Sequence, residues 1–179
     1  MTTIQSGFSK TCAGGALLAL CLTSTSPAGD VVPLSGAAPD IVSNTWLNSP
    51  PKTIAGLRGK VVLVEFWTFE CWNCHNVEPY IKQWHARYGD VGLEVITVHA
   101  PEFDRERDPA NVRAYLDKAG IKYAVAIDND FSNWNRYRNR FWPTLYLIDK
   151  QGMLRYSKIG EGDYAGTEQR IQSLLREGG

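Results

Sequence analysis

Cysteine is scarce in this sequence, four residues in 179, and two of those, Cys12 and Cys21, fall in an N-terminal stretch that reads as a removable leader. Cys71 and Cys74 are then left for the mature chain. A secreted scaffold stapled by disulfides needs more cysteines at wider spacings, so that class is excluded. Histidine is as sparse: His75, His85 and His99 show no finger-type ligand spacing, and no second Cys-x-x-Cys completes a four-ligand zinc site. Net charge is absent too, with 19 basic against 19 acidic side chains, so no bulk field draws nucleic acid or an anionic membrane. The one long apolar run of the leader, Cys12 to Leu22, is interrupted by Gly14 and Gly15 and falls short of the ~20 residues a bilayer span needs.

What is present begins with that leader. Lys10 is the only charge in residues 1–28, and Ser26-Pro27-Ala28 offers small residues for cleavage, so 1–28 reads as a signal peptide and the protein as exported to the periplasm or another extracytoplasmic space. A lipid-modified cysteine follows a small residue, whereas Leu20 precedes Cys21. Gly29 to Ser43, rich in Gly, Pro, Ala and Ser, reads as a flexible linker. One domain over 44–179 is expected to follow, with no stable membrane span after cleavage.

Within the domain, Val61 to Trp67 is a nearly continuous apolar run, as in a strand buried on both faces. Val77, Ile81, Trp84 and Tyr88 recur at helical spacing after Cys71, so a helix starts at the dithiol. Leu93 to His99 reads as a strand, Pro109 to Ala119 as a helix closed by Gly120, and Lys122 to Ile127 as another strand. After a short helix around Trp134, Pro143–Asp149 and Leu154–Ile159 read as antiparallel strands joined at Lys150-Gln151-Gly152. A last helix carries Ile171, Leu174 and Leu175, with Asp163 or Thr167 as its cap. The alternation predicts an α/β sheet.

Cys71-Trp72-Asn73-Cys74 therefore sits where a buried strand hands over to a helix. The helix terminus favours a thiolate at Cys71, lowering its pKa from ~8.5 toward the range ~3.5 to 7.5. Cys74, one turn on, lies within disulfide reach and deeper, where it can resolve a mixed disulfide. With His75 the motif also satisfies the c-type haem attachment pattern, but a haem domain of that kind is mainly helical. Trp134, Arg136, Tyr137, Arg138, Arg140, Phe141 and Trp142 interleave bases with aromatics as a single-strand nucleic-acid surface does, against which stand the leader and the zero net charge.

The run from Val64 to Cys74, then Pro79, then Arg140-Phe141-Trp142-Pro143-Thr144-Leu145, resembles thioredoxin. An acid stands six residues before the first cysteine, a proline eight after it, and an apolar-Pro-Thr strand start downstream. The resemblance covers about Trp46 to Leu175 and points to exported redoxins of the TlpA and ResA type, in particular the thioredoxin-like domain of DipZ proteins. It implies a thioredoxin fold, a central mixed β-sheet flanked by helices, with an N-terminal extension and an extra strand-helix unit within Glu94 to Asp128. It also implies roles: Glu65 as a buried acid that trades a proton with Cys74, Pro143 as a cis proline facing Cys71, and Trp72 and the Trp142 backbone as contacts for an extended substrate. Protein disulfides or dithiols as substrates, a membrane thiol-transfer protein as electron donor and no cofactor follow from the same likeness.

Two departures qualify it. Glu70 brings a negative charge beside Cys71, which opposes the helix terminus, and Trp72-Asn73 lacks the proline often found between the cysteines. Thr68-x-x-Cys71 matches part of a peroxiredoxin motif whose proline is replaced by Val64, which keeps a thiol peroxidase as the alternative enzyme. A redoxin-fold copper-delivery module is the non-enzymatic alternative, although its relatives space their cysteines more widely.

Overall fold

The computed structural model describes residue 1 and residues 36–178. The expected leader and the first part of the linker lie outside the described residues. In chain order the elements are β1 (Gly36–Ala37), β2 (Trp46–Leu47), β3 (Val61–Trp67), α1 (Trp72–Tyr88), β4 (Leu93–His99), α2 (Pro109–Ala119), β5 (Ala124–Ile127), α3 (Ser132–Arg136), β6 (Thr144–Ile148), β7 (Met153–Ile159) and α4 (Tyr164–Arg176). The strands form one mixed sheet in the order β1-β7-β6-β3-β4-β5-β2.

β3 is central because both its edges and both its faces can be covered by apolar neighbours, and all seven of its residues are buried. It pairs parallel with β4 and antiparallel with β6. Strand alternation sends Leu63 and Trp67 into one core with Val77, Ile81 and Trp84 of α1, Val112 and Leu116 of α2, and Ile171 and Leu174 of α4. Val62, Val64 and Phe66 face the opposite core, packed with Ile41, Ile54, Tyr137 and Tyr146. The β6–β7 hairpin turns on Gly152, whose left-handed backbone (φ 74°) suits glycine, and the strands pair antiparallel as the sequence suggests.

Two local expectations are corrected. Residues 36–43, expected as part of a flexible linker, are built into the fold, which reaches back to Gly36 rather than starting near Asn44. β1 pairs with β7, Ile41 is buried, the Tyr137 hydroxyl donates to the Pro39 carbonyl (2.7 Å), and Asp40 accepts the Ile54 amide (2.6 Å). Composition weighed the Gly, Pro and Ala of this stretch; the slot that receives Ile41 exists only in three dimensions. Asp163 does precede α4, but in a left-handed conformation (φ 49°) from which its side chain makes no capping bond.

The N-terminal segment is fastened chiefly by Asn133. Its side chain, itself buried, accepts the Val42 amide (2.8 Å), donates to the Val42 carbonyl (2.7 Å) and donates to buried Asp128 (3.0 Å), while Val42 is exposed. Truncating it removes both Val42 partners and leaves buried Asp128 short of one donor, so Asn133→Ala is expected to cost about 1–2 kcal/mol, water at exposed Val42 making up part of the loss. Denaturant melts with limited proteolysis check this: cleavage should rise within 36–43, and a variant as stable as the parent would show that water replaces the amide without loss.

Candidate active site

β3 ends at Trp67, and the chain turns through Thr68, Phe69 and Glu70 to reach Cys71, which caps α1. Cys71 is extended (φ −71°, ψ 111°), and its sulfur accepts the Cys74 amide at 3.2 Å. The two cysteines are joined in a disulfide with Cα atoms 5.2 Å apart. Cys71 is half-buried, whereas Cys74 is 2% exposed in the α1 core. An amide of the first helical turn, that of Cys74, thus points at the more accessible sulfur.

A groove of about 420 Å³ opens beside Cys71, and its walls include Trp72, Glu102, Phe103, Phe141 and Trp142. Trp72 is 76% exposed, Phe141 54% and Phe103 51%, which puts three large apolar side chains in water around one sulfur. The Trp142–Pro143 peptide is cis. The Trp142 indole donates to the Ala100 carbonyl (3.0 Å), while Asn139 and Thr144 both donate to the Phe141 carbonyl. Trp72 and Trp142, named from sequence, thus line the groove beside Cys71, and Pro143 follows Trp142 through the cis bond.

Glu65 lies in β3 with its side chain on the α1 side, by alternation with Leu63 and Trp67, and is 3% exposed. Burial, with Glu78 nearby as a lesser cause, holds its carboxyl protonated well above the usual carboxylate range. Glu78 of α1 accepts from Lys82 (2.7 Å) and from the Tyr115 hydroxyl (2.6 Å). Tyr115, from α2, stacks against both Phe69 and His75, so α2 touches the turn and the helix that carry the cysteines. The His75 ring is 2.8 Å from the Phe69 carbonyl through Nε2.

Under the same turn, buried His99 sits 3.2 Å from the Thr68 hydroxyl, and burial lowers its pKa to about 4, so it is neutral near pH 7. Residues 102–106 were missed as site residues. Glu106 is buried beneath Glu70, and Arg105 pairs with the Glu70 carboxylate. Their surroundings, charged from Glu102 to Asp108, read in sequence as a solvated loop, and no spacing marks them out. Of the interleaved basic-aromatic stretch, Tyr137 is in the core, Trp134 is packed against Phe66 and Trp142, and the arginines are exposed. Among the described residues no three His, Cys, Asp or Glu side chains gather as a metal-ligand set.

A mixed sheet of this order with a Cys-x-x-Cys pair opening the helix after its central strand defines a domain of the thioredoxin-like class. Residues 36–157 match the model of the AhpC/TSA family, and the chain belongs to that family. It is 46% identical over 146 residues to protein DipZ of Mycobacterium bovis, covering 79% of this chain and 21% of that protein, so it spans about a fifth of that relative's length. Thiol-disulfide oxidoreductase ResA of Bacillus thuringiensis is 30% identical over 140 residues, 78% of this chain and 75% of the relative. A thioredoxin-like superfamily protein of known crystal structure superposes with a TM-score of 0.74 at 28% identity, covering 79% of this chain and 97% of its own.

The raised pKa of Glu65 makes a stability prediction. Its folded-state value lies above the unfolded ~4.3, so the native state keeps the proton longer; that advantage is complete below pH ~4.3 and is lost as pH rises through the folded-state value. Glu65→Leu is expected to be more stable than the parent at high pH and to differ less in acid. Denaturant melts across pH decide it, and a variant less stable than the parent at pH ~7 would mean that the carboxyl is held by satisfied hydrogen bonds.

Proposed function

We propose that this domain works outside the cytoplasm as a thiol-disulfide oxidoreductase on protein substrates, with Cys71 as nucleophile, Cys74 as resolving thiol and Glu65 as proton acceptor. The observation that carries the reading is the asymmetry of the pair, an accessible Cys71 sulfur at a helix N-terminus with Cys74 buried behind it. In the reductive direction, the Cys71 thiolate attacks one substrate sulfur; the Cys71–substrate bond forms as the substrate disulfide breaks, and the first substrate thiolate leaves. In its carboxylate form, whose proton affinity burial has raised, Glu65 takes the proton of Cys74; the Cys74 thiolate attacks Cys71, so the Cys71–Cys74 bond forms and the second substrate thiolate departs. Two electrons have then passed from the dithiol to the substrate.

Each cycle ends with an oxidised pair, so a dithiol donor must restore it. A membrane thiol-transfer protein fits an exported domain. Export is supported by the leader read over 1–28. Among the described residues no helix is long and apolar enough to cross a membrane. A protein substrate is supported by the aromatic groove and by Trp142, whose backbone pairs with no other backbone group among the described residues, leaving it open to an extended chain. A peroxidase would use the Thr68 hydroxyl at the reactive cysteine; here that hydroxyl meets His99, and Val64 is buried in the core where the motif has proline.

The test is reduction of a protein disulfide with a small dithiol as electron source. Cys71→Ser should abolish turnover, and Cys74→Ser should accumulate a mixed disulfide with the substrate, visible by non-reducing electrophoresis and mass spectrometry. Glu65→Leu should slow release from that mixed disulfide near neutral pH while leaving the attack by Cys71 intact. If both cysteine variants matched the parent, the dithiol assignment would fall.

A further inference from the structure

Glu70 stands next to the nucleophile, where a free carboxylate opposes thiolate formation. Two consecutive residues of the inserted unit reach Glu70 from across the groove. Arg105 pairs its guanidinium with the Glu70 carboxylate. Glu106, fully buried, accepts the Glu70 amide through Oε1 (3.0 Å) and the amides of Glu102 (2.6 Å) and Phe103 (2.8 Å) through Oε2. Three backbone donors on one carboxylate are what allow it to be buried there, and they make the turn Asp104–Arg107 and the turn before Cys71 a single unit. One residue is thus gripped twice, its charge by Arg105 and its backbone by Glu106.

We propose that Arg105 is a positioning residue for Cys71, held by Glu106 over Glu70 so that the carboxylate beside the nucleophile is cancelled and the helix terminus governs the acidity of the thiol. This rests on Cys71 being the nucleophile. The other titratable or charged groups around the sulfur are Glu102 and Arg140 on the groove, His75 on α1, and Glu65 and Glu78 on the Cys74 side. His99, beneath Phe69, is neutral near pH 7. Arg105 is the cation paired with Glu70. Its loss leaves a negative charge within one residue of the sulfur, screened by solvent on the groove side.

The experiment uses the full reduced chain carrying Cys12→Ser, Cys21→Ser and Cys74→Ser, so that Cys71 is the one thiol left and is followed by the ultraviolet absorbance of its thiolate against pH. Arg105→Ala should move the midpoint up by about half a pH unit, the scale of one partly screened charge at this range. Glu70→Gln should move it down, because Arg105 is then uncompensated, and the pair Glu70→Gln with Arg105→Ala should return it close to the parent value. Glu106→Gln, which loosens the turn, should raise it in the same sense as Arg105→Ala. A merely structural role for Arg105 would not be undone by removing the Glu70 charge. An unchanged midpoint in Arg105→Ala, or a double variant as high as that single one, overturns the proposal, and an unchanged midpoint in Glu106→Gln removes Glu106 from it. Disulfide exchange by the parent, abolished in Cys71→Ser, is measured separately, so failure here leaves the oxidoreductase reading standing and failure there does not hide in this titration.

Discussion

The burial of β3 on both faces and both edges is the constraint on which the site depends. A strand enclosed by β4 and β6, by helices on one face and by the segment around Ile41 and Ile54 with Tyr137 on the other, cannot fray or slip register without exposing seven buried residues, so its end is fixed in space. That end is where the chain leaves the sheet and enters α1, and Cys71 is the residue at the junction. The dithiol needs no loop of its own. It inherits its rigidity from the sheet and its electrostatics from the helix terminus.

The same enclosure explains why one carboxyl inside it matters. Glu65 is the single ionisable group in β3, and removing it from water shifts its proton affinity upward whatever else surrounds it. Beside it, Glu78 keeps contact with Lys82 and Tyr115 at the edge of the core. The inserted unit reaches the cysteines twice, through Tyr115 stacked on Phe69 and His75, and through the turn at Asp104–Arg107. An insertion that packed only against the sheet would leave the dithiol untouched; this one shares contacts with the residues on either side of it.

Much of this was legible from residue order. The apolar run of β3 and the 3.6-residue recurrence of Val77, Ile81, Trp84 and Tyr88 each report a local period that burial imposes directly, and both elements are found where those patterns put them. Cys71 and Cys74 could be read because their separation of one helical turn has a chemical meaning by itself. Ile41 could not, because its burial depends on Ile54 and Tyr137, remote in sequence. Arg105 and Glu106 lie in a charge-dense loop, and in such a loop a buried carboxylate has the same spelling as a solvated one. What distinguishes Glu106 is three backbone amides converging on it, a property of the fold.

The two acids on either side of the dithiol, Glu70 and Glu65, are treated in opposite ways, and the proposed chemistry needs the difference. Glu70, on the solvent side, is paired with a cation, so it adds little net charge next to the sulfur that must ionise. Glu65, on the core side, has burial as the main influence on it and keeps its affinity for a proton. Exchange between them would defeat both cysteines: an unpaired carboxylate beside Cys71 would hold back its thiolate, and a cation beside Glu65 would lower its pKa and weaken it as a proton acceptor for Cys74. In the proposed chemistry, charge pairing outside and desolvation inside would let two identical functional groups, five residues apart in the chain, set the two thiols on different protonation schedules.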